Sequence, residues 1–587
     1  MQPDKNRIIT YPLFSTLQSV SIKQATTMNI KTPLSILLCF TLATAQAQQE
    51  DFGQDALINP SAATFNFDIA PGPIKPTEAS IAAHYQCPEW FRDAKFGIYM
   101  HWGINSIPGY DGHYGRWMYW YQEPDSSLRK YPILGYRALA PKVYQYHLKK
   151  YGHPSKFGYK DFIPMWKADK FNADSLAAFY KKMGARFIGV MAVHHDNFDL
   201  YDSSHQPWNS VNMGPRLDIV GAWQKACKKA GVHFAISSHL SNYCHEHMFY
   251  QGSNADPEGA YAGIPYDYMN PAYEGLYGKR TPDRIMRLEP EFAQSWYLRT
   301  KELIDKYEPE LLYFDGPLPN GIYGQQLAAH FYNKNLLQKG VQKGVLTIKR
   351  ERAGYTLDRE CSGEDDLQKN PFLVDTTINP GWFYMGNSLN INEEGGDAGM
   401  SSVVQGKAKD KLRMTAGQIV DNLIDIVSKN GNMMLNVGLR PDGSLPETFR
   451  DELIKIGNWL KLNGEAIYDT RPFTVYGEGT FSAKAHQQQY ADYLYTFTAK
   501  DIRFTTKKNT IYVFTLDWPG NGEILKIQHL NNKEIPNIQS VSFLASGENV
   551  KWAQDINGLS ITMPSHPIGE YAYVFKICLL YTSPSPR

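Results

Sequence analysis

The stretch Arg186-Phe-Ile-Gly-Val-Met-Ala-Val-His194 decides the fold, because it is an apolar run that ends on a histidine. The amphipathic stretch Leu217 to Lys229 comes after it, and this order predicts a buried strand and then a helix. The same alternation recurs from about residue 90 to 463. It indicates repeated βα units around a parallel sheet, and we predict an α/β fold, a (β/α)8-like TIM barrel.

Six strands and five helices of this barrel can be placed in the sequence, whereas two further strands cannot. The predicted strands are Phe96 to Trp102, Arg186 to His194, His233 to His239, Leu311 to Asp315, Phe372 to Ile378 and Asn432 to Val437. The predicted helices are Ala173 to Met183, Leu217 to Lys229, Glu291 to Tyr307, Thr415 to Lys429 and Phe449 to Leu462.

A second pattern begins after Gly464, where short β-rich runs alternate with turns. Examples are Thr510 to Leu516, Val541 to Ala545 and Tyr571 to Phe575. They predict a C-terminal antiparallel β-sandwich. The predicted divisions of the chain are an over-extended reading frame at 1–27, a signal peptide at 28–47, a polar connector at 48–76, the catalytic barrel at 77–463, the sandwich at 464–577 and a foreign tail at 578–587.

The N-terminal region is typical of an export signal. Met28-Asn-Ile-Lys31 is a short basic start, Pro33 to Ala43 is largely apolar, and Ala45-Gln-Ala47 is a small-x-small cleavage site. The apolar run is shorter than the roughly 20 residues that span a bilayer. We expect cleavage after Ala47 and a secreted or periplasmic protein without a membrane anchor.

Charge and cysteine content exclude several functions. Sixty Lys and Arg residues oppose 59 Asp and Glu residues, so the chain lacks the positive field that nucleic-acid binding needs. Cys87, Cys227, Cys244 and Cys361 lie between the signal and the tail, without CxxC or Cys/His spacing. This pattern disfavours a structural zinc site and a dense disulfide framework, and it is compatible with one or two disulfides.

Polar residues end several predicted strands, which is where the mouth of a parallel barrel holds its chemistry. His101 and Trp102 end the first strand, and Asp315 ends the run before Gly316. A retaining glycosidase needs a carboxylate nucleophile with an acid about 5 Å away, and Asp315 meets the first requirement. An equally simple interpretation is an Asp that caps the turn before Gly316. The long insertion from Gly109 to Met165 follows the first strand and is expected to border the mouth.

The histidines admit three interpretations. His194, His195 and His239 could bind a metal together with Asp196, they could bind sugar hydroxyls, or they could be buried histidines that hydrogen-bond to the backbone. Adjacent residues on a strand project to opposite faces, which argues against His194 and His195 as ligands of one ion. Aromatic residues make up 13% of the chain. Among them, Trp102, Trp117 and Trp382 could form apolar platforms for a sugar, although each is also a common core residue.

Four ordered motifs resemble glycoside hydrolase family 29, the α-L-fucosidases. They are Trp90-Phe-Arg-Asp-Ala-Lys-Phe-Gly-Ile-Tyr-Met-His-Trp-Gly103, Met183-Gly-Ala-Arg-Phe-Ile-Gly-Val-Met-Ala-Val-His-His-Asp-Asn-Phe-Asp-Leu-Tyr-Asp-Ser203, Tyr307-Glu-Pro-Glu-Leu-Leu-Tyr-Phe-Asp-Gly316 and Leu423-Ile-Asp-Ile-Val-Ser-Lys-Asn-Gly-Asn-Met-Met-Leu-Asn-Val-Gly438. The resemblance covers about residues 88 to 471. It implies a barrel enzyme that cleaves α-L-fucosides with retention and uses no metal and no cofactor.

The resemblance also implies roles for single residues. Asp315 corresponds to the nucleophile, and His101, His194 and His195 correspond to residues that hold fucose hydroxyls. His239 matches a position that faces the sugar in part of the family.

The acid/base residue departs from the family pattern. Many members have a Trp-Glu pair in this region, where this chain has Asn370-Pro-Phe-Leu-Val-Asp-Thr-Thr-Ile-Asn-Pro-Gly-Trp-Phe-Tyr384 without Glu. A subset carries its Glu after the preceding strand, which corresponds to Glu360 here. Glu364 and Asp375 are the alternates.

We therefore predict a secreted retaining α-L-fucosidase that releases terminal α-L-fucose from a fucosylated oligosaccharide or polysaccharide. One alternative is a family 29 relative that acts on an α-L-galactoside or a sulfated fucoside. Another is a catalytically inactive carbohydrate-binding protein, which the missing Trp-Glu pair suggests. The linkage and the oligomeric state do not follow from the sequence.

Overall fold

Eight parallel strands close into a barrel in the order β1 to β8 in the computed structural model of the protein. Their bounds are β1 Phe96–Met100, β2 Phe187–Val193, β3 His233–Ser238, β4 Leu311–Phe314, β5 Val345–Ile348, β6 Thr356–Asp358, β7 Phe372–Thr377 and β8 Gly431–Asn436. The structure describes residues 65–110, 114–121, 140–240, 254–278, 290–316, 318, 321–386, 412–479 and 496–580. The predicted signal peptide, Cys244 and most of the polar connector lie outside these residues.

Helices follow the strands on most sides of the barrel. They are α1 Glu78–His84, α2 Glu89–Ala94, α3 Tyr114–Trp117, α4 Ala140–Lys150, α5 Ala173–Lys182, α6 Ile219–Ala230, α7 Glu274–Tyr277, α8 Pro290–Tyr307, α9 Ile322–Lys339, α10 Ala416–Ser428 and α11 Glu447–Asn463. Short 3-10 turns lie at Ile104–Ser106, Tyr159–Met165, Asp267–Met269, Pro271–Tyr273, Gly464–Ala466 and Gln528–Leu530. No helix separates β5 from β6 or β6 from β7, although residues 345–377 are described throughout.

Capping residues account for the ends of the barrel helices. The side chain of Asp218 accepts a hydrogen bond of 2.9 Å from the backbone N–H of Gly221 at the start of α6. The same helix ends at Gly231, whose φ of 67° is costly for residues with a Cβ atom. Thr415 and Gln418 form a reciprocal capping box at the start of α10. The boundaries of these helices therefore follow from their local sequence.

The predicted barrel is confirmed, and its six predicted strands match the observed ones to within two residues at each end. The two strands that the sequence did not reveal are β5 and β6, which have four and three residues. They lack intervening helices, so the alternation that identified the other strands is missing there.

Inward-facing side chains fill the lower part of the barrel. One buried cluster contains Tyr99, Tyr313, Leu373 and Met434 together with Phe91 and other residues from several strands. Side chains two residues apart on a strand share a face. The residues two positions after Tyr99 and Tyr313 are His101 and Asp315, which places both above the packed layer, at the mouth.

The C-terminal region contains two antiparallel sheets. The first has the order β13-β16-β11-β10-β9 and the second the order β12-β15-β14. Their bounds are β9 Arg471–Glu478, β10 Ile502–Lys507, β11 Thr510–Thr515, β12 Ile524–Ile527, β13 Ile538–Phe543, β14 Trp552–Asp555, β15 Gly558–Thr562 and β16 Tyr573–Leu579. Residues of both sheets share one apolar core, which confirms the predicted β-sandwich. Strand β16 extends two residues into the segment predicted to be foreign.

A buried ionic cluster joins the sandwich to the barrel. Asp425 of α10 is 2.8 Å from Lys429 Nζ and 2.6 Å from Nε of Arg503 on β10, and all three side chains are about 1% exposed. Trp459 of α11 also donates a 2.8 Å hydrogen bond to the carbonyl of Ala572. The sandwich is therefore fastened to the outside of the barrel by buried polar contacts.

Two further findings concern cysteines and membranes. Among the residues that the structure describes, Cys87, Cys227 and Cys578 are free thiols. Within the described part of the chain, none of the helices combines the length and the apolar character needed to cross a bilayer.

Candidate active site

The candidate site lies at the carboxyl ends of the barrel strands, where polar residues follow most of them. His101 follows β1, His194 and His195 follow β2, and His239 follows β3. Charged residues follow the next strands in the barrel order: Asp315 after β4, Lys349 after β5, and Glu360 two residues beyond the end of β6. The mouth thus has a histidine side and a charged side.

Asp315 contacts a lysine and a histidine. Its Oδ1 is 2.5 Å from Lys349 Nζ, and its Oδ2 is 3.3 Å from His195 Nε2. Nδ1 of His195 is 2.9 Å from the carbonyl oxygen of His239, so both ring nitrogens of His195 face acceptors. Burial would raise the pKa of Asp315, but Lys349 and His195 outweigh it and hold that pKa well below its usual value.

Lys349 connects Asp315 to Glu360. Its ammonium group contacts the carboxylates of both residues. One oxygen of each carboxylate therefore lies no more than about 5 Å from the other, which is compatible with the spacing of retaining glycosidases and shorter than the roughly 6.5–9.5 Å of inverting ones. The side chains of Glu360 and Asp315 are 12% and 20% exposed, so both are accessible from the mouth.

A second pair of carboxyl groups lies beneath Lys349. Tyr313 Oη is 3.0 Å from Asp375 Oδ2 and 3.2 Å from Asp358 Oδ2, and both aspartates are 2% exposed. Burial and then the charge of Asp358 raise the pKa of Asp375 well above its usual value. Burial likewise raises the pKa of Asp358 to about 6. With both pKa values raised, the pair adds less negative charge to the site than two fully ionised carboxylates would.

Three buried histidines form the other side of the mouth. The ring of His101 lies 5.5 Å from that of His194 and 5.1 Å from that of His239. Asn436 orients His101, because its Oδ1 is 2.8 Å from the backbone nitrogen and 3.1 Å from Nδ1. Burial, followed by the nearby charges of His101, His195 and Lys349, lowers the pKa of His239 well below its usual value despite the opposing charge of Asp315. His239 is therefore neutral and can both donate and accept hydrogen bonds.

Comparisons with known proteins identify the family. A model of the α-L-fucosidase family matches residues 62–396 and 398–465, which is more than half of the chain. The chain belongs to the α-L-fucosidase family. This confirms the resemblance to glycoside hydrolase family 29 and the prediction of a glycoside hydrolase. A model of the α-L-fucosidase C-terminal domain matches residues 496–578, within the sandwich.

Individual fucosidases are similar to this chain over most of their length. A tissue α-L-fucosidase of Rattus norvegicus is 23% identical over 82% of this chain and 87% of its own. The crystal structure of a Thermotoga maritima α-fucosidase has a TM-score of 0.60 and 26% identity over 86% of this chain and 99% of its own. A family 29 fucosidase of Bacteroides thetaiotaomicron, trapped as a covalent intermediate with 2-fluoro-fucosyl fluoride, shares the fold with a TM-score of 0.53 and 18% identity, over 88% of this chain and 99% of its own.

The same three histidines could hold a metal ion. One ligand atom from each of His101, His194 and His239 lies within 4.8 Å of the others, and neutral imidazoles suit zinc and similar ions. His195 does not belong to this group of ligand atoms, although its ring lies only 4.2 Å from that of His194. Strand β2 ends at Val193 and shifts its register against β3 after Met191, so the two histidines follow a loop and not a pleat.

The three predicted aromatic platforms have different surroundings. The ring of Trp382 lies 4.9 Å from that of His101. Trp102 packs against Trp166 at 5.0 Å and donates a 2.8 Å hydrogen bond to the carbonyl of Arg440. Trp117 is 2% exposed, and the guanidinium carbon of Arg116 lies 4.5 Å from the centre of the Trp117 ring. The contact with a site histidine makes Trp382 the best placed of the three to meet a fucosyl ring.

Lys349, Tyr313, Asp358 and Asn436 are site residues that sequence reasoning missed. Lys349 follows Thr347 at a spacing of two at the end of β5, the same pattern as Tyr313 and Asp315 on β4. Had Val345-Leu-Thr-Ile348 been identified as a strand, this spacing would have pointed to Lys349. Asn436 lies inside a motif that resembles the family, but nothing in its local sequence indicates a contact with His101.

Proposed function

We propose that this protein is a secreted retaining α-L-fucosidase that releases terminal α-L-fucose by double displacement, with Asp315 as the nucleophile and Glu360 as the acid/base. The observation that carries the proposal is the contact of both carboxylates with one ammonium group, that of Lys349. It keeps them near the separation that retention requires, since an inverting enzyme needs about 6.5–9.5 Å to admit a water molecule.

In the first step the Asp315 carboxylate attacks the anomeric carbon of fucose. The bond from that carbon to the aglycone oxygen breaks, and Glu360 gives its proton to this oxygen. Asp315 becomes an uncharged ester. The low pKa of Asp315 ensures that the attacking group is ionised, because its charge is stabilised by Lys349 and His195.

In the second step water attacks the anomeric carbon, and the Glu360 carboxylate takes its proton. The ester bond to Asp315 breaks, fucose leaves with its original configuration, and the carboxylate of Asp315 is restored. Glu360 thus serves first as an acid and then as a base, as microscopic reversibility requires.

Contacts favour Glu360 over the two alternates. Glu364 accepts a 2.5 Å hydrogen bond from Nε of Arg359, which binds it away from Lys349 and Asp315. Asp375 is 2% exposed and lies beneath the mouth beside Tyr313, where an aglycone oxygen would have difficulty reaching it. Glu360 combines exposure toward the mouth with the shared contact to the nucleophile's lysine.

The histidine side of the mouth is proposed to bind the sugar. His101, His194 and His239 offer buried ring nitrogens, and nitrogen Nδ1 of His239 has no hydrogen-bond partner among the described residues. A buried polar atom of this kind gains when a ligand hydroxyl binds it. Trp382 lies beside His101 and can pack against an apolar part of the ring or the methyl group.

Export is part of the proposal and rests on residues 28–47 of the sequence. The test is expression of the full chain in a bacterium, followed by N-terminal sequencing of the protein recovered outside the cytoplasm. We expect a new terminus at Gln48. Recovery only from the cytoplasm with an intact terminus would refute export.

The enzymatic test uses 4-nitrophenyl α-L-fucoside and the chain from Gln48 onward, with NMR observation of the sugar first released. We expect the α-anomer. Asp315→Gly is expected to lose activity by several orders of magnitude and to form the β-fucosyl azide when azide replaces the nucleophile. Glu360→Ala is expected to form the α-fucosyl azide instead, because azide then attacks the fucosyl-enzyme from the side of the acid/base.

The configuration of the azide product therefore assigns the two roles separately. If the Glu360→Ala variant does not respond to azide and Glu364→Ala or Asp375→Ala does, the acid/base assignment moves to that residue. Wild-type turnover of 4-nitrophenyl α-L-galactoside or of a sulfated fucoside, but not of the fucoside, would indicate a different sugar. Binding of fucose without turnover of any of them would indicate a carbohydrate-binding protein.

A further inference from the structure

Lys349 is surrounded by four carboxyl groups. Contacting it are Asp315 from the end of β4 and Glu360 from the end of β6. Asp358 and Asp375 act on it from β6 and β7. Burial lowers the pKa of the lysine, but these four carboxyl groups outweigh burial and raise it well above its usual value. The ammonium therefore stays charged through the catalytic cycle.

The catalytic cycle changes the partners of this ammonium group. Before the reaction the Asp315 carboxylate pairs with Lys349, which also contacts Glu360. When Asp315 becomes an ester, its charge disappears. Of the two groups that Lys349 contacts, only Glu360 can then supply a negative charge. The positive charge of Lys349 therefore favours the ionised form of Glu360 at the stage when a base is required.

We propose that Lys349 is a positioning residue that moves its charge pairing from Asp315 to Glu360 when the fucosyl-enzyme forms, and so holds Glu360 as the carboxylate that activates water. This inference rests on the proposed function, because it uses the assignment of Asp315 and Glu360. It adds to the two carboxylates a cation that contacts both of them.

Other charged and titratable groups also face the ammonium. They are His239 from β3, Tyr99 from β1 and Tyr313 from β4, in addition to the four carboxyl groups. His239 is neutral, and burial raises the pKa of both tyrosines well above their usual values, so they are neutral as well. These groups keep their charge states during the reaction. Only Asp315 and Glu360 are required to change theirs.

The test compares Lys349→Met with a matched control. Lys301→Met removes another partly buried lysine, whose side chain is 17% exposed, compared with 19% for Lys349. Lys301 lies on α8, away from the mouth, and contacts Asp305 at 2.7 Å and Asp68 at 3.4 Å. Pre-steady-state release of 4-nitrophenol separates the two steps, because this leaving group needs little help from an acid. Lys349→Met is expected to show a burst of one equivalent followed by turnover that is about 10²–10⁴-fold slower than wild type. Lys301→Met is expected to behave like wild type.

Azide provides a second measurement. It is an anion that attacks the fucosyl-enzyme without a base, so it is expected to accelerate turnover of Lys349→Met and to form the α-fucosyl azide.

The pH profile of kcat provides a third measurement. The acidic limb is expected to move to higher pH in Lys349→Met, because Glu360 in the fucosyl-enzyme loses the cation that favours its ionised form, and to stay in place in Lys349→Arg.

A Lys349→Met variant with no burst, no response to azide and an unmoved acidic limb would overturn the proposal and leave the lysine a structural role. If Lys349→Met does not fold, the comparison of Lys349→Gln with Lys349→Arg by the same pH profile decides the question. Failure of the underlying function is recognised separately. In that case the wild-type enzyme inverts the anomeric centre, or Asp315→Gly forms no β-fucosyl azide.

Discussion

The buried cluster of Asp425, Lys429 and Arg503 predicts a large loss of stability when its single carboxylate is neutralised. Asp425→Asn leaves two cations, each about 1% exposed, without the carboxylate that they share. Breaking a buried ion pair by removing one partner costs about 3–5 kcal/mol, since the charge left behind stays desolvated. We expect the free energy of unfolding to fall by about 4 kcal/mol.

The change in melting temperature reveals which part of the molecule the cluster stabilises. The entropy of unfolding is about 2 cal/mol/K per residue, so about 4 kcal/mol lowers the midpoint by about 4 °C in a unit of roughly 500 residues. The same loss lowers it by about 20 °C in a unit of roughly 100 residues. Because the cluster joins α10 to β10, we expect calorimetry of Asp425→Asn to separate an early transition of the sandwich from a later transition of the barrel.

Two further variants make this reasoning refutable. Lys576→Met removes an exposed contact of β16, 2.7 Å from Glu465 in the 3-10 turn after α11, and is expected to cost less than about 1 kcal/mol. A triple variant in which leucine or methionine replaces all three charged residues of the buried cluster is expected to recover most of the loss, because no unpaired charge remains. If Asp425→Asn melts within one degree of Lys576→Met, the buried charges contribute nothing and the argument is wrong.

Three other predictions follow from single features. Burial raises the pKa of Asp196 to about 6. This carboxyl therefore contributes stability that is complete below about pH 4 and is lost as the pH rises through about 6. Asp196→Asn should weaken the fall in melting temperature between pH 4 and 7, and an unchanged fall would contradict the assignment. Zinc chloride should inhibit the enzyme competitively with substrate, because three histidine ligand atoms lie within 4.8 Å of one another. Magnesium chloride, whose ion prefers oxygen ligands, should not inhibit. Non-competitive inhibition by zinc would place the zinc site elsewhere. Tyr313→Phe should lower the free energy of unfolding in urea by about 1–3 kcal/mol, because two buried carboxyl groups lose their hydrogen-bond donor. Tyr180→Phe should be nearly neutral, since the buried hydroxyl of Tyr180 has no partner among the described residues. Equal losses for the two variants would contradict this reasoning.

Much of the fold could be predicted because strong local patterns coincide with it. Long apolar strands such as Phe187–Val193 are followed by helices with clear caps, and the whole barrel repeats this unit. The pattern fails at Val345–Ile348 and Thr356–Asp358, where short strands follow one another without helices. Their pairing is decided by neighbouring strands across the barrel, which a single sequence does not display.

The candidate site divides in a similar way. Asp315 and the histidines follow recognisable strands, so their placement at the mouth could be predicted. Lys349 could not, because its strand was missed, and its importance comes from two carboxylates that are 34 and 11 positions away in the chain. The 4.2 Å separation of the His194 and His195 rings could not be predicted either, since the end of a strand and a shift of register are decided by pairing with β3.

The two sides of the mouth have a consequence for how this enzyme can change. The histidines proposed to recognise the sugar follow β1 to β3, and Trp382, which lies beside His101, follows β7. The carboxylates proposed to carry out bond cleavage follow β4 and β6. Variation at His101 or Trp382 can therefore alter which sugar is accepted while both carboxylates stay in place. Variation at Glu360 can alter the pH dependence while the histidines stay in place.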